Sequence, residues 1–355
     1  MRSRDLNLVV FGRGNVGRAL LRQLAAAEWP AGNVTVRVRA VADRGRLCVS
    51  SAGFSPSELR SLADGSVPSA VKIIEPAPSW TAAGALAVPE SGVPSAAVDL
   101  TAATSGSDHS ALLERGWSVI TANKKPTTGP QADFDRLTGS GRYFREATVG
   151  AGLPVISLIR ELRETGDKIL EIRAAASGTL GFICSSCEAG LGFAAAVSEA
   201  KRMGFTEPDP RDDLSGMDVA RKALILARSL GSVAELSDIR VDSLIPSGLE
   251  AGDPTSFLER LPSASARFDA QFAAAAREGK RLRYLLSANP QGIAVGLSSE
   301  SPDSPFAALS GPENMFVIRT RRYDTAPLVV RGPGAGAEVT AAGVFGDILR
   351  AARES

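Results

Sequence analysis

The chain has 355 residues, enough for two domains or one large α/β domain. With 40 basic against 39 acidic residues its formal net charge is +1, which argues against a nucleic-acid or anionic-membrane binder. The single histidine, His109, leaves little room for a His-based zinc site or triad, and Cys48, Cys184 and Cys187 form no disulfide framework. No apolar run approaches the length needed to span a bilayer. The expectation is a soluble, cytoplasmic protein, with organelle import open if a transit peptide lies upstream. Proton transfer must then fall to Lys, Asp, Glu or water.

Residues 6–11 read as a buried strand running into Gly12-Arg13-Gly14-Asn15-Val16-Gly17, with helical periodicity over 19–24. Strand, glycines and helix in that order are the signature of a dinucleotide-binding βαβ unit, where a bare G-x-G-x-x-G would be weak. Gly12 permits the turn, Gly14 lets backbone approach a pyrophosphate, and Gly17 lets helix and strand pack closely. Val34–Ala42 closes the unit as a second strand with Asp43 at its carboxyl end. Asp43 suits the ribose hydroxyls of NAD, whereas Arg44 and Arg46 suit the 2′-phosphate of NADP; the sequence leaves that choice open. Residues 50–95 are rich in Ser, Pro, Gly and Ala and read as irregular connection with one or two short helices, including Pro56–Ala63. Alternation resumes with a strand at 97–101, a helix at 109–115 and a strand at 117–121. Asn123-Lys124-Lys125-Pro126 follows at the carboxyl edge of the sheet, where a nicotinamide is expected; the alternative is an ordinary charged loop.

The glycines and proline of 146–154 read as bent backbone, a hinge or small cation site rather than regular structure. Beyond it come a helix at 156–163, a strand at 169–176 and strands at 282–286, 293–297 and 315–320. A mixed sheet with helices on one face would bury these elements and offer a dimer surface. Cys184-Ser185-Ser186-Cys187 has redox-motif spacing, but in an apolar Ala/Gly-rich stretch it reads as two small residues one helical turn apart. Residues 204–222 pack acids into a proline-broken loop and then set Asp218 and Lys222 four apart on one helix face, with Ser215 as the expected N-cap. Glu207 and Asp213 lie in the loop before it. Such a cluster is either a solvated helix start or acid/base chemistry on a small polar substrate. Gly332-Pro333-Gly334-Ala335-Gly336 precedes a helix at 339–352 and reads equally as a linker or a second cofactor-touching loop.

Taken in order, residues 12–17, Thr121 to Pro126, 146–154, Ser177-Gly178-Thr179-Leu180, 204–222 and 332–343 resemble homoserine dehydrogenase over nearly the whole chain. The resemblance implies an α/β protein: a Rossmann-type nucleotide domain at 1–150, an α+β catalytic and dimerisation domain on a mixed sheet at 151–330, and a C-terminal loop and helix at 331–355 returning to the first domain. It implies NAD- or NADP-dependent interconversion of L-homoserine and L-aspartate 4-semialdehyde, a homodimer, and no nucleic-acid or membrane partner. By resemblance the chain looks like the short monofunctional form, with neither an aspartate kinase nor a regulatory tail.

Residue by residue, Lys222, Lys124 and Asp218 match the catalytic group, and Gly178, Thr179, Glu207 and Asp213 the substrate site. Gly12, Gly14, Asn15, Val16, Gly17, Asp43, Arg44, Thr101, Asn123, Lys124 and Gly336 match the cofactor site. Glu146, Val149, Ala151 and Leu153 match a monovalent-cation (Na+) site made largely of backbone oxygens. Phe205 stands where the family usually has tyrosine. In this reading a lysine ammonium stabilises and protonates the developing alkoxide. Lys222 is the favoured donor with Lys124 bridging substrate and nicotinamide, and the reverse assignment stays open. The rival readings are a related dehydrogenase for another semialdehyde and a non-catalytic NAD(P) sensor.

Overall fold

The computed structural model describes residues 4–69, 71–88 and 92–355. It divides into two compact units, Met1–Pro154 with Ala335–Ser355, and Val155–Gly334. Unit 1 contains β1 (Arg4–Phe11), α1 (Asn15–Ala26), β2 (Val34–Ala42), β3 (Leu47–Val49), α2 (Pro56–Ala63), β4 (Lys72–Ile74), α3 (Trp80–Ala87), β5 (Ser95–Asp99), α4 (Gly106–Glu114), β6 (Ser118–Thr121), α5 (Gln131–Thr138) and β7 (Tyr143–Phe144). These strands form one sheet in the order β4-β3-β2-β1-β5-β6-β7. From β2 to β7 all pairs are parallel, while β3 and β4 add an antiparallel edge. Strand order reverses between β1 and β5, which makes the carboxyl end of β1 the ligand-binding switch point of a Rossmann-type sheet.

Side chains alternate across β1 with the strand period of two. Leu6, Leu8 and Val10 pack into one core with Leu20, Leu21 and Leu24 of α1. Val9 and Phe11 face the other core, with Ala83 of α3 and Leu112 of α4. Both faces of the parallel strands are therefore covered by helices, as buried parallel sheets require.

Unit 2 runs α6 (Ile156–Glu164), β8 (Ile169–Ala175), α7 (Gly178–Glu188), α8 (Phe193–Arg202), α9 (Pro210–Leu214), α10 (Met217–Ser229), β9 (Arg240–Val241), α11 (Pro254–Ala264), α12 (Ala266–Arg277), β10 (Arg281–Asn289), β11 (Gly292–Glu300), β12 (Glu313–Thr320) and β13 (Leu328–Pro333). Its sheet has the order β13-β12-β8-β10-β11-β9 and is mixed: only β11–β9 is parallel. The last helix, α13 (Ala337–Glu354), belongs to unit 1, where Ala341, Val344 and Ile348 join the core around α1. Among the described residues no helix is long and apolar enough to cross a membrane.

Several expectations need correction. Residues 50–95 hold the two short helices α2 and α3 that composition allowed, but also the strand β4, which it did not indicate. Short edge strands such as β4 hold by main-chain pairing to β3 and need little apolar patterning. The first half of 332–336 is the end of β13 rather than linker. The strand expected at 97–101 ends at Asp99, so Thr101 lies beyond it. Glu146–Thr148, expected to be irregular, form a 3-10 turn.

The loop before the Asp218 helix is also not simply proline-broken. Pro210 stands at the first position of α9, whose N-cap Asp209 accepts the Arg211 N–H at 3.0 Å. Proline is tolerated there because that N–H has no helical partner anyway. Ser215 consequently ends α9, and α10 is capped by Gly216 instead. Gly216 has φ +72°, and a Cβ there would meet the Tyr284 hydroxyl at 2.0 Å. Both facts reserve the position for glycine.

Candidate active site

In unit 1 two glycines shape the loop between β1 and α1. Gly12 has φ +104°, and a Cβ there would stand 2.7 Å from the Leu100 carbonyl oxygen. At Gly17 a Cβ would stand 2.1 Å from the Gly12 carbonyl oxygen. Only glycine lets the turn close against the end of β5 and lets α1 begin tight behind it. Gly14 has open space where a Cβ would be. It lines a cleft of about 770 Å³ with Gly12, Asp43, Arg44, Trp80 and Thr101. The first turn of α1 carries no acidic residue and no side-chain cap, so its N–H groups and positive dipole end remain for an anion. A dinucleotide pyrophosphate fits these residues.

Asp43 is held by its neighbours. Its Oδ1 accepts the N–H groups of Gly45 and Arg46, each at 3.2 Å, and its Oδ2 accepts from the Arg13 guanidinium at 2.7 Å and Arg46 Nε at 3.2 Å. Burial alone would raise the Asp43 carboxyl, but the Gly45 N–H and the two guanidinium groups hold it below its ordinary value.

Asp99, at the carboxyl end of β5, organises the cleft wall from beneath. One carboxylate oxygen accepts the Thr101 N–H (2.8 Å) and hydroxyl (2.7 Å); the other accepts the Ser105 hydroxyl (2.7 Å) and Asn123 Nδ2 (3.0 Å). His109 completes the network, with Nε2 3.1 Å from Asp99 and Nδ1 2.9 Å from the Tyr143 hydroxyl. Asp99, Ser105, His109, Asn123 and Tyr143 are all buried, so each depends on the others for its hydrogen bonds. Burial would raise the Asp99 carboxyl, yet His109, the Ser105 hydroxyl and the Thr101 N–H hold it below its ordinary value. Asn123 thus spends its amide on Asp99 and the Ala103 carbonyl (2.8 Å), fixing the turn that carries Lys124. Lys125, its neighbour, donates to the Ala102 carbonyl at 2.5 Å.

The segment expected to hold a cation is compact. Ala151 adopts φ +54°, the one left-handed non-glycine among the described residues. Its carbonyl lies against α13, where a Cβ at Gly343 would come within 2.4 Å. The Glu146 carboxylate is 3.8 Å from Arg350, and the Glu146 N–H donates to Asp347 at 2.8 Å. Val149 is buried, and the Leu153 N–H donates to the Gly150 carbonyl at 3.0 Å. No trio of His, Cys, Asp or Glu forms a metal-ligand group among the described residues.

In unit 2 the acidic stretch becomes a defined surface. Lys222, largely buried at 11% side-chain exposure, donates to the Ala176 carbonyl at 2.6 Å and lies 3.0 Å from Asp218, one turn back. The turn after Ala176 starts α7, with Ser177 accepting the Leu180 N–H as N-cap. Gly178 permits Pro312 to approach, and Thr179 donates its hydroxyl to the Phe205 carbonyl at 2.6 Å. Asp213 accepts the Glu207 N–H at 2.8 Å, which fixes the loop bearing the exposed Glu207 side chain. Burial pushes the Asp213 carboxyl up, and the nearby Asp218 and Asp212 add to this. Phe205 packs its ring edge-on against Phe182, centroids 5.0 Å apart.

Of the expected site residues, Gly12, Gly14, Asp43, Arg44 and Thr101 line one cleft. Asn15, Val16 and Gly17 open α1 behind it, and Gly336 caps α13. Sequence reasoning missed Arg13, Asp99 and Ser105. Only the position of Asp99 at a strand's carboxyl end signalled its role.

A family model described as homoserine dehydrogenase matches residues 154–349. The chain is 42% identical to bifunctional aspartokinase/homoserine dehydrogenase 2, chloroplastic, of Zea mays, over 97% of this chain and 38% of the relative. It therefore spans little more than a third of that relative's length. It is 37% identical to the homoserine dehydrogenase of Saccharomyces cerevisiae, covering 99% of each chain. A hyperthermophilic archaeal homoserine dehydrogenase, solved in complex with NADPH, superposes with a TM-score of 0.77 at 25% identity, covering 99% of this chain and 98% of the other.

Proposed function

The chain belongs to the homoserine dehydrogenase family, and we propose that it interconverts L-homoserine and L-aspartate 4-semialdehyde, using NAD(P). The observation that carries this reading is the placement of Lys222, fixed by Asp218 and the Ala176 carbonyl beside the turn of Gly178 and Thr179. A sensor of cofactor occupancy has no use for a lysine held in this way.

When bound, NAD(P) supplies or accepts the hydride. The protein's own work is to hold it, to orient the substrate and to move one proton. Gly12, Gly14 and the N-terminus of α1 take the pyrophosphate, while Asp99 and Asn123 fix the turn bearing Lys124. In the reducing direction the Lys222 ammonium donates its proton to the substrate oxygen as negative charge develops there, and in oxidation the neutral amine takes it back. Asp218 and the Ala176 carbonyl orient that amine. Glu207 takes the substrate α-ammonium, and Asp213 holds the Glu207 loop in place. The same reading assigns a monovalent cation, Na+, to Glu146 and the carbonyls of Val149, Ala151 and Leu153, supported by the left-handed backbone at Ala151. It also assigns a homodimer.

A spectrophotometric assay of the purified protein with L-homoserine and each oxidised cofactor tests the reading. Homoserine-dependent cofactor reduction is expected. No reduction with either cofactor, together with activity on a different amino-acid alcohol, would reassign the substrate.

A further inference from the structure

We propose that Arg13, the residue between the first two glycines of the phosphate loop, sets the cofactor preference toward NADP(H) by occupying the carboxylate that would otherwise select NAD(H). The inference rests on the reading of the unit 1 cleft as a dinucleotide site and concerns its adenosine end.

An acid at the carboxyl end of the second strand recognises NAD by accepting hydrogen bonds from the ribose hydroxyls. Asp43 stands at that position, beyond β2, and lines the cleft. A carboxylate offers about four lone-pair directions. At Asp43 four donors already fill them: the N–H groups of Gly45 and Arg46 on Oδ1, and Arg13 and Arg46 Nε on Oδ2. A ribose 2′-hydroxyl finds no acceptor there unless a guanidinium is released.

Arg13 is not a loosely attached surface cation. Its side chain is only 8% exposed, and its second terminal nitrogen donates to the Leu62 carbonyl at 3.2 Å. Releasing Asp43 would leave a nearly buried guanidinium short of a partner, which is costly. The loop is thus built with its ribose-reading acid already engaged.

The surrounding charge favours a phosphate. Arg13, Arg44 and Arg46 carry three positive charges against one on Asp43, a net +2 (3 − 1). Arg44 lines the cleft with no hydrogen bond or ion pair of its own among the described residues, and Arg46 engages its side chain only through Nε. Their terminal N–H pairs present the planar fork that suits a phosphate. A 2′-phosphomonoester carries about −1.5 to −2 charges at neutral pH and supplies acceptors where the ribose hydroxyl supplies a donor.

The test is equilibrium binding of 2′,5′-ADP and 5′-AMP, followed by calorimetry on the full chain. These fragments carry the discriminating end of each cofactor and no nicotinamide. Wild type should bind 2′,5′-ADP about tenfold or more tightly than 5′-AMP, the scale of one charge-assisted hydrogen bond. Arg13→Met should tighten 5′-AMP binding and cut that ratio about tenfold, while Arg13→Lys should keep much of the wild-type ratio. Arg44→Ala should weaken 2′,5′-ADP alone, and it supplies the test if Arg13→Met does not fold. Equal wild-type affinity for the two fragments would overturn the proposal. So would an Arg13→Met variant that loses both ligands in parallel, which would make Arg13 a loop anchor only, or an Arg44→Ala variant that spares 2′,5′-ADP. Fragment binding does not involve homoserine, so failed homoserine turnover would refute the proposed reaction while leaving this result intact.

Discussion

The Thr179 hydroxyl donates to the main-chain carbonyl of Phe205 at 2.6 Å, so the first turn of α7 is tied to the acidic loop without using the side chain at 205. That side chain packs on Phe182 instead. Phe205→Tyr should therefore keep the fold, changing stability by less than about 1 kcal/mol as substitutions that leave packing intact do. The restored hydroxyl is expected to lower the homoserine KM about fivefold, the worth of one ordinary hydrogen bond. Thermal melts and steady-state kinetics read the two effects separately, and an unchanged KM would show that the hydroxyl has no part in binding.

Lys222→Ala and Lys124→Ala should each lower kcat by about two orders of magnitude or more, the usual scale for an acid/base group. Asp218→Asn retains an oxygen near Lys222 but loses the charge, and should lower kcat less than Lys222→Ala does. Near-normal turnover in both lysine variants would end the mechanism. Glu207→Ala should raise the homoserine KM and leave the cofactor KM unchanged.

Asp99 accepts from Thr101, Ser105, Asn123 and His109 in a buried setting. Asp99→Ala strands several of those donors and should destabilise unit 1 by about 3 kcal/mol or more, since each unsatisfied buried group costs about 1–3 kcal/mol. Tyr143→Phe removes only one hydroxyl at the edge of the network and should cost about 1 kcal/mol. Denaturant titration measures both. The milder Asp99→Asn should raise the cofactor KM by loosening Thr101 and Asn123.

Asp213 yields a pH signature. Burial first, then Asp218 and Asp212, pushes its folded-state carboxyl above the ordinary 3.8. Between those two values the folded chain holds a proton that the unfolded chain has released, so this residue's contribution to stability falls as pH rises through that window and levels off above it. Asp213→Asn should remove that decline and weaken homoserine binding. Melting temperatures of both proteins across acidic pH would expose a parallel, unaltered decline if Asp213 were not its source.

Cys184 and Cys187 lie one turn apart in α7, both buried, with burial pushing both thiols up to about 12. A thiol-reactive probe at pH 8 should label neither within the folded lifetime and should label both on unfolding, because the thiolate is the reactive species. Rapid labelling of native protein would contradict the burial.

Local spacing made part of this protein legible in its sequence. The glycines of the first loop, the buried apolar run of β1 and the four-residue step from Asp218 to Lys222 all follow from helix pitch, the short span of a buried strand and the conformations open to glycine. Such rules act over a few residues, so they survive without knowledge of the rest of the chain. Edge strands such as β4 escaped because main-chain pairing, not apolar pattern, holds them. Ser215 misled because its backbone is claimed by α9, which sequence periodicity does not reveal in a five-residue helix.

Tertiary structure decided which groups these local features meet. Lys222 finds the carbonyl of Ala176, 46 positions away, and Asp99 gathers Ser105 and His109 from the start of α4 and Asn123 from beyond β6. The sequence left Asp43 open between NAD recognition and an arginine partner. Folding brought Arg13 to it across 30 positions, because β2 pairs beside β1 and sets its end next to the phosphate loop. Hydrogen bonds saturate, so once packing had filled the lone pairs of Asp43, the chemistry left to it was fixed by neighbours that no local pattern could name.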